Sequence, residues 1–207
     1  MSQFFYVHPD NPQGRLMKQA AHIVHEGGVI VYPTESGYAL GCHIGDKKAL
    51  ERICRIRGID QDHDFALVCK DLSELSEYAR VENSAFRAMK NNTPGAYTFI
   101  FKATKEVPKR LMNPKKRTIG IRIPDNQIAL DLLEALGEPI MSTTLIMPGE
   151  EHSEYDPEHI RDLLEHSVDL IIHGGYLGEK PTTVIDYSDG DTPEILRVGQ
   201  GDPAPFE

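Results

Sequence analysis

Tryptophan is absent from the 207-residue sequence and cysteine is scarce, with Cys42, Cys54 and Cys69 the only three. An odd number of cysteines without CxxC spacing argues against a disulfide framework. Each cysteine has apolar neighbours in the sequence, so we interpret all three as buried thiols. Free thiols are typical of a reducing compartment, and we therefore expect the protein to be cytoplasmic.

Long apolar runs are also absent. Val29–Tyr32 is among the longest, and it is a fraction of the roughly 20 residues that a membrane span needs. Residues 1–5 contain neither a basic leader nor the apolar core of a signal sequence. The sequence therefore predicts neither membrane insertion nor secretion.

Several motifs of nucleotide-binding and hydrolytic enzymes are missing. The sequence contains no GxGxxG and no GxSxG, which excludes a Rossmann dinucleotide fingerprint and a nucleophile elbow. Residues 174–182 resemble a phosphate-binding loop, but Glu179 and Pro181 interrupt the required Gly-Lys-Ser/Thr order. We reject a Walker-type nucleotide site on that ground.

A metal-ligand signature is missing as well. His152, His159 and His166 recur every seven residues, but no HExxH motif accompanies them. This spacing is more typical of an exposed helix face than of a metal site. We predict no structural metal.

The remaining composition is that of an ordinary globular protein. Apolar residues make up 40% of the chain and charged residues 26%, with 14 prolines and 17 glycines. These values exclude a disordered or low-complexity chain, and the length is enough to bury one sizeable core. Because we find no internal repeat and no linker, we expect residues 1–207 to form a single domain.

Hydrophobic periodicity predicts an alternation of helices and strands. The segments with helical spacing of apolar residues are 12–27, 46–58, 72–78, 84–89, 127–136 and a segment that begins at 156. The segments with strand patterns are 28–32, 65–69, 97–101, 118–123, 139–142, 168–172, 182–186 and 195–198. We expect Pro33 to stop the first strand, whose continuous apolar run indicates burial on both faces. The pattern predicts an α/β domain with helices around a twisted, mixed, largely parallel sheet.

The net charge of -10 conceals an asymmetry along the chain. Residues 1–122 hold 19 basic and 13 acidic side chains, whereas residues 123–207 hold 3 and 19. Much of the basic excess lies between Lys102 and Arg122, where Glu106 is the only acidic residue. Two interpretations stay open: a solvated connection between two strands, or a surface that attracts the phosphates of a polyanion.

The segment 118–123 alternates between apolar and polar residues. Its three isoleucines share one face, which leaves Thr118, Gly120 and Arg122 on the other. A hydroxyl and a guanidinium on either side of a glycine leave room for a ligand to approach the backbone, and Arg122 can hold a carboxylate or a phosphate. The alternative is a sheet face exposed to solvent.

Hydroxyl side chains follow several predicted strands. Thr34 comes just after the first strand, and Ser142 and Thr144 share one side of a later strand end. Because ligands of α/β proteins bind at the carboxyl ends of strands, these residues are candidates for holding a small polar molecule. Each alone is also a common turn residue. Thr182 and Arg197 extend the pattern more weakly.

Arg55 and Arg57 lie in the last turn of a predicted helix that ends at Gly58. Cations at a helix C-terminus are favoured by the helix dipole by roughly 0.3 to 1 kcal/mol. Their position is therefore compatible with a structural role and with a ligand-binding role.

Four blocks of the sequence resemble the YrdC/YciO family: Tyr32–Cys42, Pro94–Thr98, Gly120–Pro124 and Ser142–Thr144. Residues 1–12 and 172–186 resemble the YciO members of that family in particular. The resemblance covers nearly the whole chain. It implies the YrdC-like fold, a twisted open sheet whose concave, positively lined face holds the site.

The resemblance also implies an activity. Members similar to YrdC convert L-threonine, bicarbonate and ATP, with Mg²⁺, into threonylcarbamoyl-AMP and pyrophosphate, the first step toward a threonylcarbamoyl modification of transfer RNA. By resemblance, Arg55, Arg57 and Ser142 are the catalytic residues. The residues that would hold threonine are Thr34, Arg122, Ser142 and Thr182. The residues that would contact ATP are Arg55, Arg57, Thr118, Thr144 and Arg197.

Two positions depart from the pattern of the adenylate synthases. Arg55 stands where that pattern has Lys, and Ile146 stands where it has Asn. Arginine keeps the charge but changes its shape, and isoleucine removes an amide donor and acceptor. We therefore expect any change of activity to lie in the ATP half of the reaction.

The basic cluster, together with the association of the similar family with RNA, supports an alternative function, a module that binds double-stranded RNA or transfer RNA without adenylating activity. The residues that would contact RNA are Lys102, Lys109, Arg110, Lys115, Lys116 and Arg117.

Overall fold

The computed structural model of the protein describes residues 1–60, 62–178 and 180–207. The helices are α1 (Gly14–His25), α2 (Lys47–Arg57), α3 (Leu75–Tyr78), α4 (Asn83–Asn92), α5 (Gln127–Leu136) and α6 (Pro157–Leu164). The strands are β1 (Gln3–Tyr6), β2 (Ile30–Thr34), β3 (Gly37–His43), β4 (Ala66–Val68), β5 (Tyr97–Lys102), β6 (Thr118–Arg122), β7 (Ile140–Thr144), β8 (Leu170–His173), β9 (Thr183–Asp186) and β10 (Glu194–Arg197). Single 3₁₀ turns occur at Lys109–Leu111 and Ala204–Phe206.

The strands form one ten-stranded sheet in the order β1-β8-β2-β3-β7-β4-β6-β5-β9-β10. Four neighbouring pairs are parallel, and five are antiparallel. The predicted α/β fold with a mixed sheet is confirmed, but the prediction of a largely parallel sheet is wrong. The main reason is β3, an unpredicted strand that pairs antiparallel with both β2 and β7.

The prediction that Pro33 stops the first strand is also wrong. β2 continues to Thr34, and Pro33 pairs with Tyr38 of β3. Proline lacks the N–H that a strand donates to its neighbour. On its other side β2 pairs with β8 only at Ile30 and Val31. Pro33 lies beyond this pairing, so no hydrogen bond between β2 and β8 needs its missing N–H.

The two faces of the sheet are covered differently. Helices α2, α3, α4 and α6 contribute to the larger core cluster on one face, which includes Phe99, Ile121 and Met141. On the other face α1 and α5 pack together over β1, β8, β2 and β7, where Tyr32 and Ile172 are buried. This second layer does not extend over β6, β5 and β9, and the uncovered half of the sheet faces a cavity.

None of the described helices is long and apolar enough to cross a bilayer.

Candidate active site

The cavity has a volume of about 390 Å³, and the uncovered half of the sheet forms its floor. Asp186, Ile100, Gly120, Ala66 and Ser142 lie side by side on five adjacent strands, β9, β5, β6, β4 and β7. A Cβ at Gly120 would lie 3.2 Å from Cγ2 of Thr98 and 3.3 Å from Cβ of Ala66. Because Gly120 has no side chain, the middle of the floor consists of backbone, and a ligand can approach it there.

Arg122 points from β6 into this cavity and is only 5% exposed. Its Nη2 donates a hydrogen bond to Oε1 of Glu35 at 2.8 Å, and both side chains of the ion pair are 7% exposed. Arg122 Nε is buried and has no partner among the described residues. A buried guanidinium with an unpaired N–H offers a site for an anion. The interpretation of this strand as a solvent-exposed sheet face is therefore wrong.

A second guanidinium faces the same end of the cavity. Arg197 of β10 donates from Nε to the carbonyl of Thr182 at 3.0 Å and from Nη2 to the Thr182 hydroxyl at 3.1 Å. That hydroxyl is 2.8 Å from the hydroxyl of Thr98. Burial and the charge of Arg122 both lower the pKa of Arg197. Two cations close enough to repel each other favour an anion between them.

Arg57 lies at the opposite end of the floor. Helix α2 ends at Gly58 in the left-handed conformation, as the glycine predicted. Arg57 then donates from Nε to the carbonyl of Ile146 at 3.0 Å and from Nη1 to the hydroxyl of Thr143 at 2.6 Å. Burial lowers the pKa of Arg57. The helix end and the end of β7 thus hold one cation against the cavity wall.

His63 lines the cavity next to Arg57 and escaped the sequence analysis. Its Nε2 is 3.2 Å from the hydroxyl of Thr143, and its ring packs edge-on against Phe65. Burial, and then the charge of Arg57, lower the pKa of His63, against the opposing effect of Asp64 and Asp60. No sequence pattern marks this residue, because its role depends on the fold that brings residue 143 beside it.

The rim of the cavity contains a turn organised by Asn113. The Asn113 side chain accepts from the backbone N–H of Lys115 at 3.1 Å and of Lys116 at 2.9 Å, and donates to Asp64 at 2.9 Å. Arg117 adopts a positive φ of 56° at the end of the turn. The turn places Lys116 among the lining residues.

Comparisons with known proteins identify the family of the chain. A family profile described as "Telomere recombination", of the Sua5, YciO and YrdC proteins, matches residues 22–199. The chain belongs to this family. The predicted family membership is therefore confirmed.

Three members of the Sua5/YciO/YrdC family illustrate the similarity. The chain is 67% identical over 206 residues to the uncharacterized protein YciO of Escherichia coli K12, with both chains covered in full. The crystal structure of E. coli YciO matches it with a TM-score of 0.95 and 66% identity, again over both full chains. A threonylcarbamoyl-AMP synthase of Nitrosococcus oceani is 30% identical over 182 residues, which are 87% of this chain and 96% of the relative. P. abyssi Sua5 complexed with L-threonine matches with a TM-score of 0.87 and 26% identity over 96% of this chain and 58% of that chain.

Most residues that the family resemblance implied come together in the cavity. They are Arg57, Thr118, Arg122, Ser142, Thr144, Thr182 and Arg197. Arg55 and Thr34 do not line it. Arg55 is exposed on α2, because helical geometry turns it by roughly 200° from Arg57.

Thr34 is 1% exposed and its hydroxyl is used within the β2–β3 turn. It donates to the carbonyl of Gly37 at 2.7 Å and accepts from the N–H of Ser36 at 3.1 Å. Its position at the end of a strand predicts a ligand site, because ligands of α/β proteins bind there. In the structure the chain turns directly into β3, and the hydroxyl makes its hydrogen bonds within that turn.

Ser142 lines the cavity but its proton is already engaged. Its Oγ donates to the carbonyl of Leu40 at 3.0 Å and lies 2.6 Å from the hydroxyl of Tyr32. Because a hydroxyl has one proton, Tyr32 is the donor of that second bond. Burial raises the pKa of Tyr32 to about 12, so Tyr32 keeps its proton. Ser142 can therefore accept a hydrogen bond from a ligand but cannot donate one in this arrangement.

The basic cluster of the sequence is split in the structure. Lys102, Lys109, Lys115 and Arg117 are exposed, and Lys102 donates to the carbonyl of Lys116 at 3.0 Å. Arg110 instead donates to the carbonyl of Gly45 at 2.7 Å, and its Nε is buried without a partner among the described residues.

One group of potential metal ligands among the described residues lies elsewhere: Nε2 of His43 is 2.7 Å and Nδ1 of His25 is 3.7 Å from Oε1 of Glu138. The N–H of Gly45 donates to Nδ1 of His43 at 2.9 Å, which places the ring hydrogen on Nε2, and Oε1 of Glu138 accepts no hydrogen bond from the described residues. A histidine that binds a metal through one nitrogen usually donates from the other, the reverse of this arrangement. The absence of a structural metal stays a prediction.

Proposed function

We propose that the cavity binds L-threonine, bicarbonate and ATP and forms threonylcarbamoyl-AMP with release of pyrophosphate. The observation that carries the proposal is the presence of an arginine at each of the two opposite ends of the cavity floor. Arg197 is anchored to Thr182 beside β9, and Arg57 is anchored to Thr143 on β7. These strands are four spacings apart, roughly 19 Å. A substrate set with a carboxylate at one end and phosphates at the other matches this separation.

The end with two arginines suits the threonine carboxylate, so Arg197, which the family resemblance implied as an ATP contact, is assigned here to threonine instead, because it is anchored to Thr182. The unpaired Nε of Arg122 and the guanidinium of Arg197 supply charge-assisted donors, and the hydroxyls of Thr98 and Thr182 lie beside them. The similarity to P. abyssi Sua5, which is complexed with L-threonine, supports this assignment.

The end with Arg57 suits the phosphates of ATP, which bring Mg²⁺ with them as part of the substrate. Thr118 and Thr144 line the cavity on this side, and Lys116 approaches from the rim. Threonine carbamate would displace pyrophosphate in line at the α-phosphorus, while Arg57 balances the charge of the phosphates. The similarity to the N. oceani threonylcarbamoyl-AMP synthase supports this step.

The side chain of Ile146 distinguishes this ATP end. It lines the cavity with an apolar surface, and its carbonyl is occupied by Arg57. Because an amide donor is missing there, we propose that adenylation is slower than in relatives with Asn at this position.

Pyrophosphate release that requires both threonine and bicarbonate tests the proposal, with the product identified by mass spectrometry. Arg197→Ala is expected to weaken threonine binding about 10-fold or more, because a charge-assisted hydrogen bond is lost. Arg15→Ala on the exposed surface of α1 is the matched control. Pyrophosphate release without threonine, or no release and no calorimetric heat with ATP, would contradict the proposal.

A second candidate function is docking of double-stranded RNA or transfer RNA. The exposed cations Lys115, Lys116 and Arg117 form one turn beside the cavity, which favours contacts with phosphates.

A salt titration tests this second candidate. Replacing Lys115 and Arg117 by Ala, with the cavity residue Lys116 left in place, is expected to weaken RNA binding and flatten its salt dependence, while ATP binding persists. Arg15→Ala with Lys18→Ala on α1 is the control. RNA retention that does not depend on salt would contradict docking through this turn.

A further inference from the structure

The proposed reaction needs a proton acceptor inside the cavity, and this inference rests on that proposed function. Threonine enters with an ammonium group, which has no lone pair until it loses a proton. The ionisable residues that line the described part of the cavity are Arg57, His63, Asp64, Lys116, Arg122, Asp186 and Arg197. Lysine and arginine are protonated near neutral pH, and carboxylates are in general much weaker bases than imidazole. Histidine is the residue type suited to take a proton there.

The position of His63 fits the direction in which threonine would lie. His63 precedes Ala66 of β4 by three residues, and β4 lies between β6, which holds Arg122, and β7, which holds Thr143. The span from β6 to β7 is two strand spacings, about 10 Å. The amine of threonine is bonded to the same carbon as its carboxylate, so with the carboxylate at Arg122 the amine would lie over β4, between Arg122 and the wall where the His63 ring contacts Thr143. A single water would carry its proton across the remaining gap to the ring.

We propose that His63 is the proton acceptor of the carbamoylation step. Its ring takes one proton from the ammonium group of threonine. The nitrogen lone pair then forms the N–C bond with bicarbonate, the bond from that carbon to its hydroxyl oxygen breaks, and the hydroxyl leaves as water with a second proton from nitrogen. The products are threonine carbamate, water and protonated His63.

The charged groups around His63 make its basicity depend on whether ATP is bound. The charged groups that face the ring are Arg57 from α2 and Asp60 and Asp64 from its own loop, while Thr143 of β7 is neutral. Burial and Arg57 lower the pKa of His63, which leaves the ring neutral near pH 7 and ready to accept a proton. Phosphates bound at Arg57 would offset its charge, so His63 becomes a stronger base when the nucleotide is present.

The test compares the unaltered protein with His63→Asn and with the control His152→Asn, which changes an exposed histidine outside the cavity. The readout is the pH dependence of kcat for pyrophosphate release, with KM for threonine and ATP. We expect His63→Asn to lower kcat roughly 100-fold or more, as for loss of a general base. The fall of activity at acid pH caused by this group should disappear, and both KM values should stay close to those of the unaltered protein. Added imidazole should restore part of the activity of His63→Ala.

Three results would overturn the inference, and they are distinguishable. Unchanged kcat and an unchanged acid limb in His63→Asn would remove His63 from the reaction and leave the proposed function intact. A lower kcat with the same acid limb and no rescue by imidazole would show that His63 only positions Thr143. No pyrophosphate release by the unaltered protein at any pH would refute the proposed function, and this inference with it.

Discussion

The ion pair between Arg122 and Glu35 shows how single residues prepare the cavity for an anion. Glu35 accepts from Arg122 through Oε1 and from the N–H of Asp125 through Oε2 at 3.1 Å, which fixes the orientation of the guanidinium. Removing one partner of a buried pair costs about 3 to 5 kcal/mol, because the other charge stays buried. Arg122 is therefore held in place before a ligand arrives.

Glu35→Ala should lower the free energy of unfolding by about 3 to 5 kcal/mol for that reason. Urea denaturation measures the change, and Glu26→Ala at the exposed end of α1 is the control. Saturating threonine should recover part of the loss, since its carboxylate would replace the missing charge. A change below about 1 kcal/mol, the range of a surface pair, would show that Arg122 is solvated.

Ile146→Asn should raise kcat for pyrophosphate release roughly 10-fold or more, on the scale of a donor to a transition-state oxygen. The new amide would face the cavity beside Arg57, where Ile146 offers only apolar surface. The control, Leu163→Asn, places the same amide on the exposed side of α6. An unchanged or lower kcat in a folded Ile146→Asn protein would mean that this wall does not reach the reacting phosphate.

Single residues of the site were predictable from the sequence only where a strand pattern fixed their direction. The alternation in β6 pointed Thr118 and Arg122 to one face, and both line the cavity. Thr34 does not line the cavity because its turn leads into β3. Glu35 and His63 were missed because their partners are 87 and 80 residues away. Contacts over such distances depend on strand order, which local patterns do not contain.

At the scale of elements, the sequence predicts helix ends better than it predicts which segments pair as strands. Helix α5 has the predicted bounds, because Asn126 caps Ala129 N–H and Gly137 ends the helix in the left-handed conformation. Strands β1 and β3 were not predicted. β1 is a four-residue edge strand, and β3 is buried almost throughout, so neither shows the clear alternation of a half-exposed strand.

The floor strand β6 allows a test of the cavity. Gly120→Val should abolish threonine binding in calorimetry, because the new side chain would rise into the middle of the floor. We expect a modest loss of stability, about 1 to 3 kcal/mol, since valine suits a strand but crowds Thr98 and Ala66. Gly178→Val, at a loop position with nothing within 4 Å of the added Cβ, is the control. Retained binding in Gly120→Val would place the ligand off the floor.

At the scale of the whole molecule, the cavity brings together cations from the basic and the acidic parts of the chain. The basic residues after position 122 are Arg161, Lys180 and Arg197. Of these, Arg197 lines the cavity, where it meets Arg57 and Arg122 from the basic part of the chain. The acidic C-terminal part therefore completes the anion site with one of its few cations.

The C-terminal 3₁₀ turn supports the same region from the opposite face of the sheet. Phe206 is 2% exposed and packs edge-on against Tyr97 and Phe99 of β5. Phe206→Ala should lower the free energy of unfolding by about 3 to 5 kcal/mol, the usual cost of an emptied aromatic site. Urea denaturation measures this loss, and Phe86→Ala, at a side chain 39% exposed, should cost much less. Equal effects of the two changes would mean that the end of the chain is not part of the core.

Arg197 lies on β10, which pairs with β9 at one edge of the sheet that the structure describes. An anion shared by Arg122 and Arg197 would connect this outermost strand to β6, three positions further in. The amide protons of β10 should therefore exchange with deuterated solvent more slowly when the cavity is filled. Ligand binding in the cavity could then be measured from the amide exchange rates of the edge strand, without a label on the ligand.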